Sequence, residues 1–261
     1  MFTKAELMEQ MRQMGLESTD TVLIHTSLRA VGPVEDGADG VIDAFCEYLK
    51  DGLFIVPTHT WATVNKENPV YDVRTAEPCI GTLPRVAAMR TDGVRSLHPT
   101  HSVWVHGDNA AEFVRGEEDA GSPGAPGFCW DRLADVGAKI LLIGVGHNRN
   151  TFIHSVDERA QLPDRLGDAY EAVIIDHDGQ EMRRMFRPHR CSRTNDVSQF
   201  YPNFERPLIA LGAQTMGRLG NADVRVVDAA KCREIILRIY SRAQEDIFCE
   251  HRELPETLYM P

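Results

Sequence analysis

Residues 141–160 read LLIGVGHNRNTFIHSVDERA, and this stretch carries the strongest structural signal in the chain. The apolar run over residues 140–145 predicts a buried strand, which Gly146 ends. A polar turn follows, and the pattern predicts a helix that begins near Asn150 or Thr151. A strand that runs into a turn and then a helix places the turn at the carboxyl edge of a sheet, where open α/β folds bind their ligands.

Two residues of this predicted helix indicate chemistry at the same edge. His154 and Asp157 are three positions apart, so they share one face of the helix. A histidine with a carboxylate within reach can transfer a proton near neutral pH. An isolated histidine is more often a packed residue, so a catalytic role for His154 depends on the surrounding motif.

Strands and helices alternate on the amino-terminal side of this stretch. Thr3 and Glu6 fit a capping box that begins an N-terminal helix. Residues 61–78 are polar and lack a clear period, which predicts a loop or partial lid. The predicted strands are 21–25, 53–57, 102–106 and 140–145, and the predicted helices are 39–50, 82–89, 109–115 and 129–135.

The second half of the chain has a different pattern. The pair Asp178-Gly179 predicts a β-hairpin between strands 171–176 and 181–186. A short strand at 223–227 and a long amphipathic helix at 228–250 follow. We expect one continuous α/β domain over residues 1–261, with a mixed sheet rather than a uniformly parallel one.

The composition is that of a globular protein, and it narrows the classes of molecule that we expect the chain to bind. The 261 residues are 43% hydrophobic, and no run approaches the 18 apolar residues of a membrane span. The net charge of −11 disfavours nucleic acid and anionic membranes, and it is compatible with a cationic small molecule or with simple solubility. The N-terminal segment lacks a signal-peptide core, so we expect a cytoplasmic location in which the six scattered cysteines stay reduced.

Four other segments place polar side chains near the ends of predicted strands. They are HTSLRAVG at 25–32, PTHTW at 57–61, HPTHS at 98–102 and RPHRCSR at 187–193. The first can offer donors to phosphate or amide oxygens, or it is an ordinary turn. Trp61 is a binding platform or a core residue, and the basic run at 187–193 faces an anionic group or solvent. His98 and His101 lack the motif context of known zinc sites.

In this order and spacing, HTSLRAVG, PTHTW, HPTHSVWVHG and LLIGVGHNRNTFIHSVDERA resemble the aminoglycoside 3-N-acetyltransferase family. The resemblance extends from about residue 5 to about residue 242, and the block 186–201 indicates a divergent branch. It implies a single-domain α/β sandwich with a mixed central sheet, distinct from the commonest (GNAT-type) acetyltransferase fold. The coenzyme A turn of that commonest fold is indeed broken here by Leu219. The implied reaction is direct transfer, in a ternary complex, from acetyl-CoA to the 3-amino group of a 2-deoxystreptamine antibiotic.

The resemblance also implies roles for individual residues. His154 is the implied general base, Asp157 stands at the position of the family's supporting carboxylate, and Ser102 lies near the thioester. The implied coenzyme A contacts are His25, Thr26, Ser27, Leu28 and Gly146. The implied acceptor contacts are Trp61, His101 and Glu158, and no metal is required.

Two departures from the family pattern leave the acceptor open. Asp157 replaces the usual glutamate, which shortens its reach by one methylene, and Ala62 stands where many members carry aspartate. The alternatives are an N-acetyltransferase for another amine, a non-catalytic binding protein of the same fold, and a metal-dependent hydrolase that uses His98, His101 and His189. A homodimer is a further open option.

Overall fold

The computed structural model describes residues 1–192, 194, 196–243 and 250–261. Its strands are β1 (Thr21–Thr26), β2 (Leu53–Pro57), β3 (Val70–Asp72), β4 (Val94–Arg95), β5 (Val103–His106), β6 (Lys139–Ile143), β7 (Tyr170–Ile175), β8 (Glu181–Phe186), β9 (Gln214–Leu219) and β10 (Ala222–Asp228). Its helices are α1 (Lys4–Gln13), α2 (Leu28–Val31), α3 (Gly37–Tyr48), α4 (Thr82–Met89), α5 (Ala110–Phe113), α6 (Cys129–Asp135), α7 (Phe152–Arg159), α8 (Glu205–Ala210) and α9 (Ala229–Arg242). Short 3₁₀ segments cover Glu117–Asp119, His147–Arg149, Val197–Phe204 and Glu256–Leu258.

The central sheet has seven strands in the order β4-β5-β2-β1-β6-β10-β9. Strands β2, β1 and β6 are parallel, and antiparallel pairs flank them on both sides. The register pairs Val22 of β1 with Phe54 of β2 and with Lys139 of β6. The predicted mixed α/β architecture is therefore confirmed.

Helices cover both faces of this sheet because its inner strands are apolar on both faces. In β1, Val22 and Ile24 pack with α1, α3 and α4, whereas Leu23 packs with α6, α7 and α9. Strand β6 alternates in the same way, with Leu141 on the first face and Leu142 on the second. An inner strand with no polar face must lie between two layers, which explains its continuous apolar run.

The predicted hairpin belongs to a second, smaller sheet of order β3-β7-β8. Gly179 in its turn has φ +82°, a left-handed value that glycine adopts without strain. Strand β3 lies within the stretch 61–78 that was predicted as a loop, and it pairs in parallel with β7. This sheet places the segment after β8 over the carboxyl edge of the central sheet, where that segment helps to line the cavity described below.

Several predicted boundaries were wrong. The strand predicted at 140–145 ends at Ile143, because Gly144 takes a left-handed conformation with φ +66°. The helix predicted at 228–250 ends at Arg242, since Ala243 is extended, and residues 244–249 lie outside the described residues. Strands β4 and β9 were not predicted. None of the helices in the described ranges is long and apolar enough to span a membrane.

Candidate active site

A cavity of about 1050 Å³ opens at the carboxyl ends of β1, β2 and β6. This is the edge that the strand–turn–helix pattern predicted. The cavity is also lined by the stretch after β2, by residues before β7 and by the segment that follows β8. The polar side chains on its wall include His25, Thr26, His59, Lys66, Glu67, Thr100, His101, Arg149, Asn150, His154, Arg165, Asp168, His189, Arg190 and Asp196.

Histidine rings form one continuous wall of the cavity. The ring centroids of His154 and His189 are 4.0 Å apart, and those of His189 and His101 are 5.4 Å apart. His101 lies 4.5 Å from His59, measured between ring centroids. Burial, followed for most of them by the repulsion of neighbouring histidines, lowers the pKa of these four rings below the usual histidine value. The wall therefore consists of neutral imidazoles that can accept hydrogen bonds.

His154 on α7 is held by a tyrosine that no sequence motif predicted. The Tyr201 hydroxyl lies 2.7 Å from His154 Nδ1 and donates to Asp157 Oδ2 at 2.7 Å. Because that hydroxyl proton points to Asp157, the Tyr201 oxygen accepts the Nδ1–H of His154. The lone pair of His154 is then on Nε2, which is the ring nitrogen left to accept a proton. Asp157 supports His154 through Tyr201 and not by the direct contact that the helix spacing suggested.

Asp157 itself is buried in a network of donors. The Tyr240 hydroxyl donates to its Oδ1 at 2.5 Å, and the guanidinium Nε of Arg165 lies 3.7 Å from its Oδ2. Burial raises the pKa of Asp157 to about 7, against the opposing effect of the two tyrosine hydrogen bonds and Arg165. Asp157, Tyr201, Tyr240 and Arg165 therefore form one largely buried network of hydrogen bonds and charges.

Glu158 does not line the cavity, which corrects the prediction that it contacts the acceptor. Its carboxylate accepts hydrogen bonds from Ser122 Oγ, from the Gly124 amide at 2.7 Å and from His189 Nε2 at 2.9 Å. Any Cβ at Gly124 would meet the His154 backbone at 2.8 Å, so this glycine permits the close approach. Glu158 thus orients His189, whose ring lines the cavity.

Ser102 also lies off the cavity, contrary to the prediction that it stands near the thioester. It is fully buried, and its hydroxyl donates to the Thr58 carbonyl at 2.9 Å and lies 2.8 Å from Thr58 Oγ1. Arg95 Nε donates to that same Thr58 hydroxyl at 3.3 Å. With its single proton committed, Ser102 joins two strand ends and has no donor for a reacting oxygen.

The loop over residues 25–28, which was predicted to contact coenzyme A, divides into two parts. His25 and Thr26 line the cavity, and His25 Nε2 and Thr26 Oγ1 are buried with no hydrogen-bond partner among the described residues. Ser27 and Leu28 are not on the cavity wall; the Ser27 side chain caps α2, and its amide donates to the Ile143 carbonyl at 2.9 Å. Unpartnered polar atoms on a cavity wall are open to a ligand.

Gly144, which was not singled out, matters more to this loop than Gly146 does. Besides its positive φ, a Cβ at Gly144 would lie 2.4 Å from the Ala30 Cβ, whereas one at Gly146 would meet only Asn148 Oδ1 at 3.3 Å. Gly146 is not on the cavity wall. The close approach at Gly144 lets the turn after β1 pack directly on the turn after β6.

A series of buried hydrogen bonds between side chains stabilises the turn after β6. His147 Nε2 lies 2.6 Å from Gln214 Oε1, and Gln214 Nε2 donates to Glu205. The side-chain Nδ2 of Asn150 lies 3.4 Å from His147 Nδ1. The Asn150 Oδ1 is buried and has no hydrogen-bond partner within the described part of the chain. The bracing fixes Asn150 on the cavity wall with a free acceptor.

Trp61, the predicted binding platform, and three carboxylates that were not predicted line the solvent-exposed side of the cavity. Trp61 is 51% exposed and lines the cavity, as does the predicted His101. Glu67, Asp168 and Asp196 line it as well, and no motif marked them in the sequence. Asp196 is close enough to raise the pKa of both His154 and His189 against the larger effect of burial.

The histidines of the hydrolase alternative do not converge on a metal. His98 Nδ1 accepts the amides of Thr100 and His101 at 3.2 and 2.8 Å, and its Nε2 faces the Ser122 carbonyl at 3.2 Å. Over the residues that the structure describes, the group of three potential ligands with atoms within 4.8 Å of one another consists of Cys46, Asp92 and His106, away from this cavity. The described residues therefore offer the hydrolase alternative no metal site at this cavity.

Comparison with known proteins decides the family. The family model described as aminoglycoside 3-N-acetyltransferase matches residues 23–240. The chain belongs to the aminoglycoside 3-N-acetyltransferase family. This membership confirms the resemblance drawn from the motifs, the prediction of an N-acetyltransferase and acetyl-CoA as its co-substrate.

Individual relatives of this family agree over nearly the whole chain. Aminoglycoside N(3)-acetyltransferase VIII of Streptomyces fradiae is 27% identical over an alignment of 253 residues, which covers 87% of this chain and 88% of the relative. The crystal structure of aminoglycoside acetyltransferase AAC(3)-Xa is 27% identical, with a TM-score of 0.76 over 89% of this chain and 90% of that one. The crystal structure of an AAC(3)-IVa variant in complex with gentamicin is 24% identical, with a TM-score of 0.76 over 92% of this chain and 89% of the AAC(3)-IVa chain. The likeness to this last structure shows the shared fold, which is not the GNAT-type one.

Proposed function

We propose that this acetyltransferase moves the acetyl group of acetyl-CoA to the 3-amino group of an aminoglycoside, by direct attack in a ternary complex. The observation that carries the proposal is the orientation of His154, whose Nδ1–H is fixed by Tyr201 and whose Nε2 is left for the cavity. On the cavity wall, Ser198 Oγ donates to the Asn148 carbonyl, and the Cys191 thiol donates to Asp164 Oδ2 at 3.5 Å. That carboxylate also accepts from Ser192, and none of the described serines and cysteines on the wall is bonded to a histidine, so the geometry favours direct attack over a covalent enzyme intermediate.

The two substrates would enter different parts of the cavity. His25, Thr26 and Arg149 form the side at the ends of β1 and β6, and Arg149 is near enough to His25 to lower its pKa further after burial. These donors and this cation suit the amides and phosphates of coenzyme A. Asp168 and Asp196 on the outer side suit a sugar carrying several ammonium groups.

His154 is the base in this mechanism. Its Nε2 removes a proton from the acceptor amine, the amine nitrogen bonds to the thioester carbon, and the carbon–sulfur bond breaks. The proton on His154 then passes to the leaving sulfur, which restores the neutral ring. Above its pKa of about 7, Asp157 is ionised and, acting through Tyr201, stabilises the imidazolium while it exists.

Thr26 is the donor that best fits the developing oxyanion. Thr26 lines the cavity, and its hydroxyl is buried with no partner among the described side chains and backbone groups, whereas the Ser27 amide and the Ser102 hydroxyl are both engaged. A donor that is already in place and dry stabilises the charge that forms on the thioester oxygen.

The test is a thiol-release assay with acetyl-CoA and a panel of amines. We expect release to depend on aminoglycosides that carry a 3-amino group on 2-deoxystreptamine, and mass spectrometry to find one acetyl group at that nitrogen. Streptomycin, which lacks that amine, is the matched control and should not support release. Absence of release with every deoxystreptamine aminoglycoside would overturn the proposal.

A second acceptor class has one structural observation in its favour. Lys66, Arg149, Arg165 and Arg190 line the same cavity as the carboxylates, and Ala62 stands beside Trp61. Such a mixture suits an amine that also carries an anionic group. Release with an aminophosphonate or an amino-acid-like amine in the same panel, and none with aminoglycosides, would favour this second class.

A further inference from the structure

His189 follows β8, in the block 186–201 that diverges from the family pattern. Its ring lines the cavity and is hydrogen-bonded through only one of its two nitrogens among the described residues. Its Nε2 lies 2.9 Å from Glu158 Oε1, and Glu158 also accepts from Ser122 Oγ and the Gly124 amide. A carboxylate with two other donors on it requires a proton on His189 Nε2. The lone pair of His189 is therefore on Nδ1.

That lone pair has no hydrogen-bond partner. His189 Nδ1 is buried and unpaired with respect to all described residues, and the ring lines the cavity 4.0 Å from the His154 ring centroid. His98, in the same cluster, shows what a structural histidine looks like, because both of its ring nitrogens are bonded to the backbone. An oriented ring with a buried free acceptor at a cavity wall is open to a ligand.

Resting on the function proposed above, we propose that His189 is a second acceptor for the attacking amine. His189 Nδ1 receives one N–H of the primary amine, while His154 Nε2 takes the other proton. With both N–H groups held, the nitrogen lone pair can point only towards the thioester carbon. His189 gains and loses no proton in the step, so the transfer through His154 balances as written above.

The electrostatics of the site agree with this division of roles. Burial, with a smaller contribution from His98, lowers the pKa of His189 to about 3, so the ring is neutral and can accept. Asp196 acts on both histidines in the opposite direction and offers a counter-charge to the incoming amine. Two neutral acceptors beside one carboxylate match a primary amine as it loses its proton.

The test compares His189→Gln with His189→Asn on primary and secondary amines. The glutamine amide can keep the bond to Glu158 but has no atom at the Nδ1 position, whereas asparagine can place Oδ1 there. For a 3-amino acceptor we expect His189→Gln to lower kcat/KM about tenfold, the value of one hydrogen bond, and His189→Asn to recover part of it. The KM for acetyl-CoA should stay within about twofold, since Nδ1 faces the amine.

An acceptor whose 3-amino group is N-methylated separates this role from a structural one. It has one N–H, so it cannot use both acceptors, and the glutamine variant should reduce its kcat/KM much less than that of the primary amine. His106→Gln, at the end of β5 and outside the cavity, is the control and should behave as wild type. Equal losses on both amines, or no loss on either in a folded variant, would overturn the inference. A wild-type enzyme that acetylates no amine would instead remove the proposed function itself.

Discussion

The Tyr201 hydroxyl lies 2.7 Å from His154 Nδ1, so a tyrosine from a 3₁₀ segment sets the tautomer of a histidine on a helix 47 residues earlier in the chain. The same hydroxyl donates to Asp157 Oδ2 at 2.7 Å, so the tyrosine oxygen joins the proposed base to its carboxylate.

Tyr201→Phe should therefore slow catalysis by about tenfold, because His154 loses the acceptor for its Nδ1–H and its link to Asp157. Tyr240→Phe is the matched control, since it removes the other tyrosine donor to Asp157 and leaves His154 untouched. Each variant should lose about 1 kcal/mol of unfolding free energy, but only the first should lose kcat. Equal kcat values for the two variants would mean that Tyr201 does not act on His154.

His154→Ala should lower kcat by about 10²–10⁴-fold, the range for loss of a positioned base. Coenzyme A affinity, measured by calorimetry, should change little, because Nε2 faces the amine. Burial lowers the pKa of His154 well below its usual value, so protonation of the base itself should reduce the wild-type rate only below about pH 6.5. The alanine variant should lack that acidic limb. A folded variant within about threefold of the wild-type rate would exclude His154 as the base.

Ser102→Ala should affect stability and not chemistry. The buried hydroxyl bonds to both Thr58 oxygens, so its loss should reduce the unfolding free energy by about 1–3 kcal/mol in denaturant titrations. The kcat should stay within about threefold of wild type. A fall of about 10²-fold or more, the usual effect of removing an oxyanion donor, would show that Ser102 reaches the thioester after all.

Gly144→Ala should destabilise the fold more than Gly137→Ala. Both glycines have φ values near +65°, so both variants take on the left-handed backbone cost of about 1–2 kcal/mol. Nothing lies within 4 Å of a Cβ at Gly137, whereas at Gly144 it meets Ala30 at 2.4 Å. The difference between the two melting temperatures measures that clash, and Ala30→Gly should recover part of it. Only the Gly144 variant should raise the KM for acetyl-CoA, since Gly144 packs under the loop after β1.

Asp157 should make stability depend on pH between about 4 and about 7. Its folded pKa is raised to about 7, so on raising the pH the unfolded chain releases this proton first and the folded chain retains it. The stability that the group contributes is complete below about 4 and is lost as the pH rises to about 7. Asp157→Asn removes this dependence, so the unfolding free energy of wild type minus that of the variant should fall over this window. Glu117→Gln, at a second buried acid with a pKa of about 7, is the control for a site outside the cavity. A difference that does not change with pH would mean that Asp157 is ionised in the fold throughout.

Local patterns predicted five of the seven strands of the central sheet, and the edge of that sheet at which the cavity lies. Strands buried on both faces are continuous apolar runs, and the turns at their carboxyl ends meet at one edge. His25, Thr26, His101 and His154 were therefore predicted from the sequence and lie on one cavity. Ser102 and Glu158 were misplaced, because a position next to a motif does not say which way a side chain points. Their hydrogen bonds to Thr58, and to Ser122 and Gly124, decide that.

The family, the mixed α/β sheet and the candidate base follow from the sequence alone, because each depends on residues that are close together in short motifs. Which groups support that base depends instead on tertiary packing. Tyr201, Tyr240 and His189 lie far from the motif in sequence, and they reach α7 only because α9, the 3₁₀ segment and the second sheet pack against it. Side-chain contacts across such distances have no periodicity or spacing to reveal them, since burial and hydrogen-bond satisfaction are properties of the assembled core.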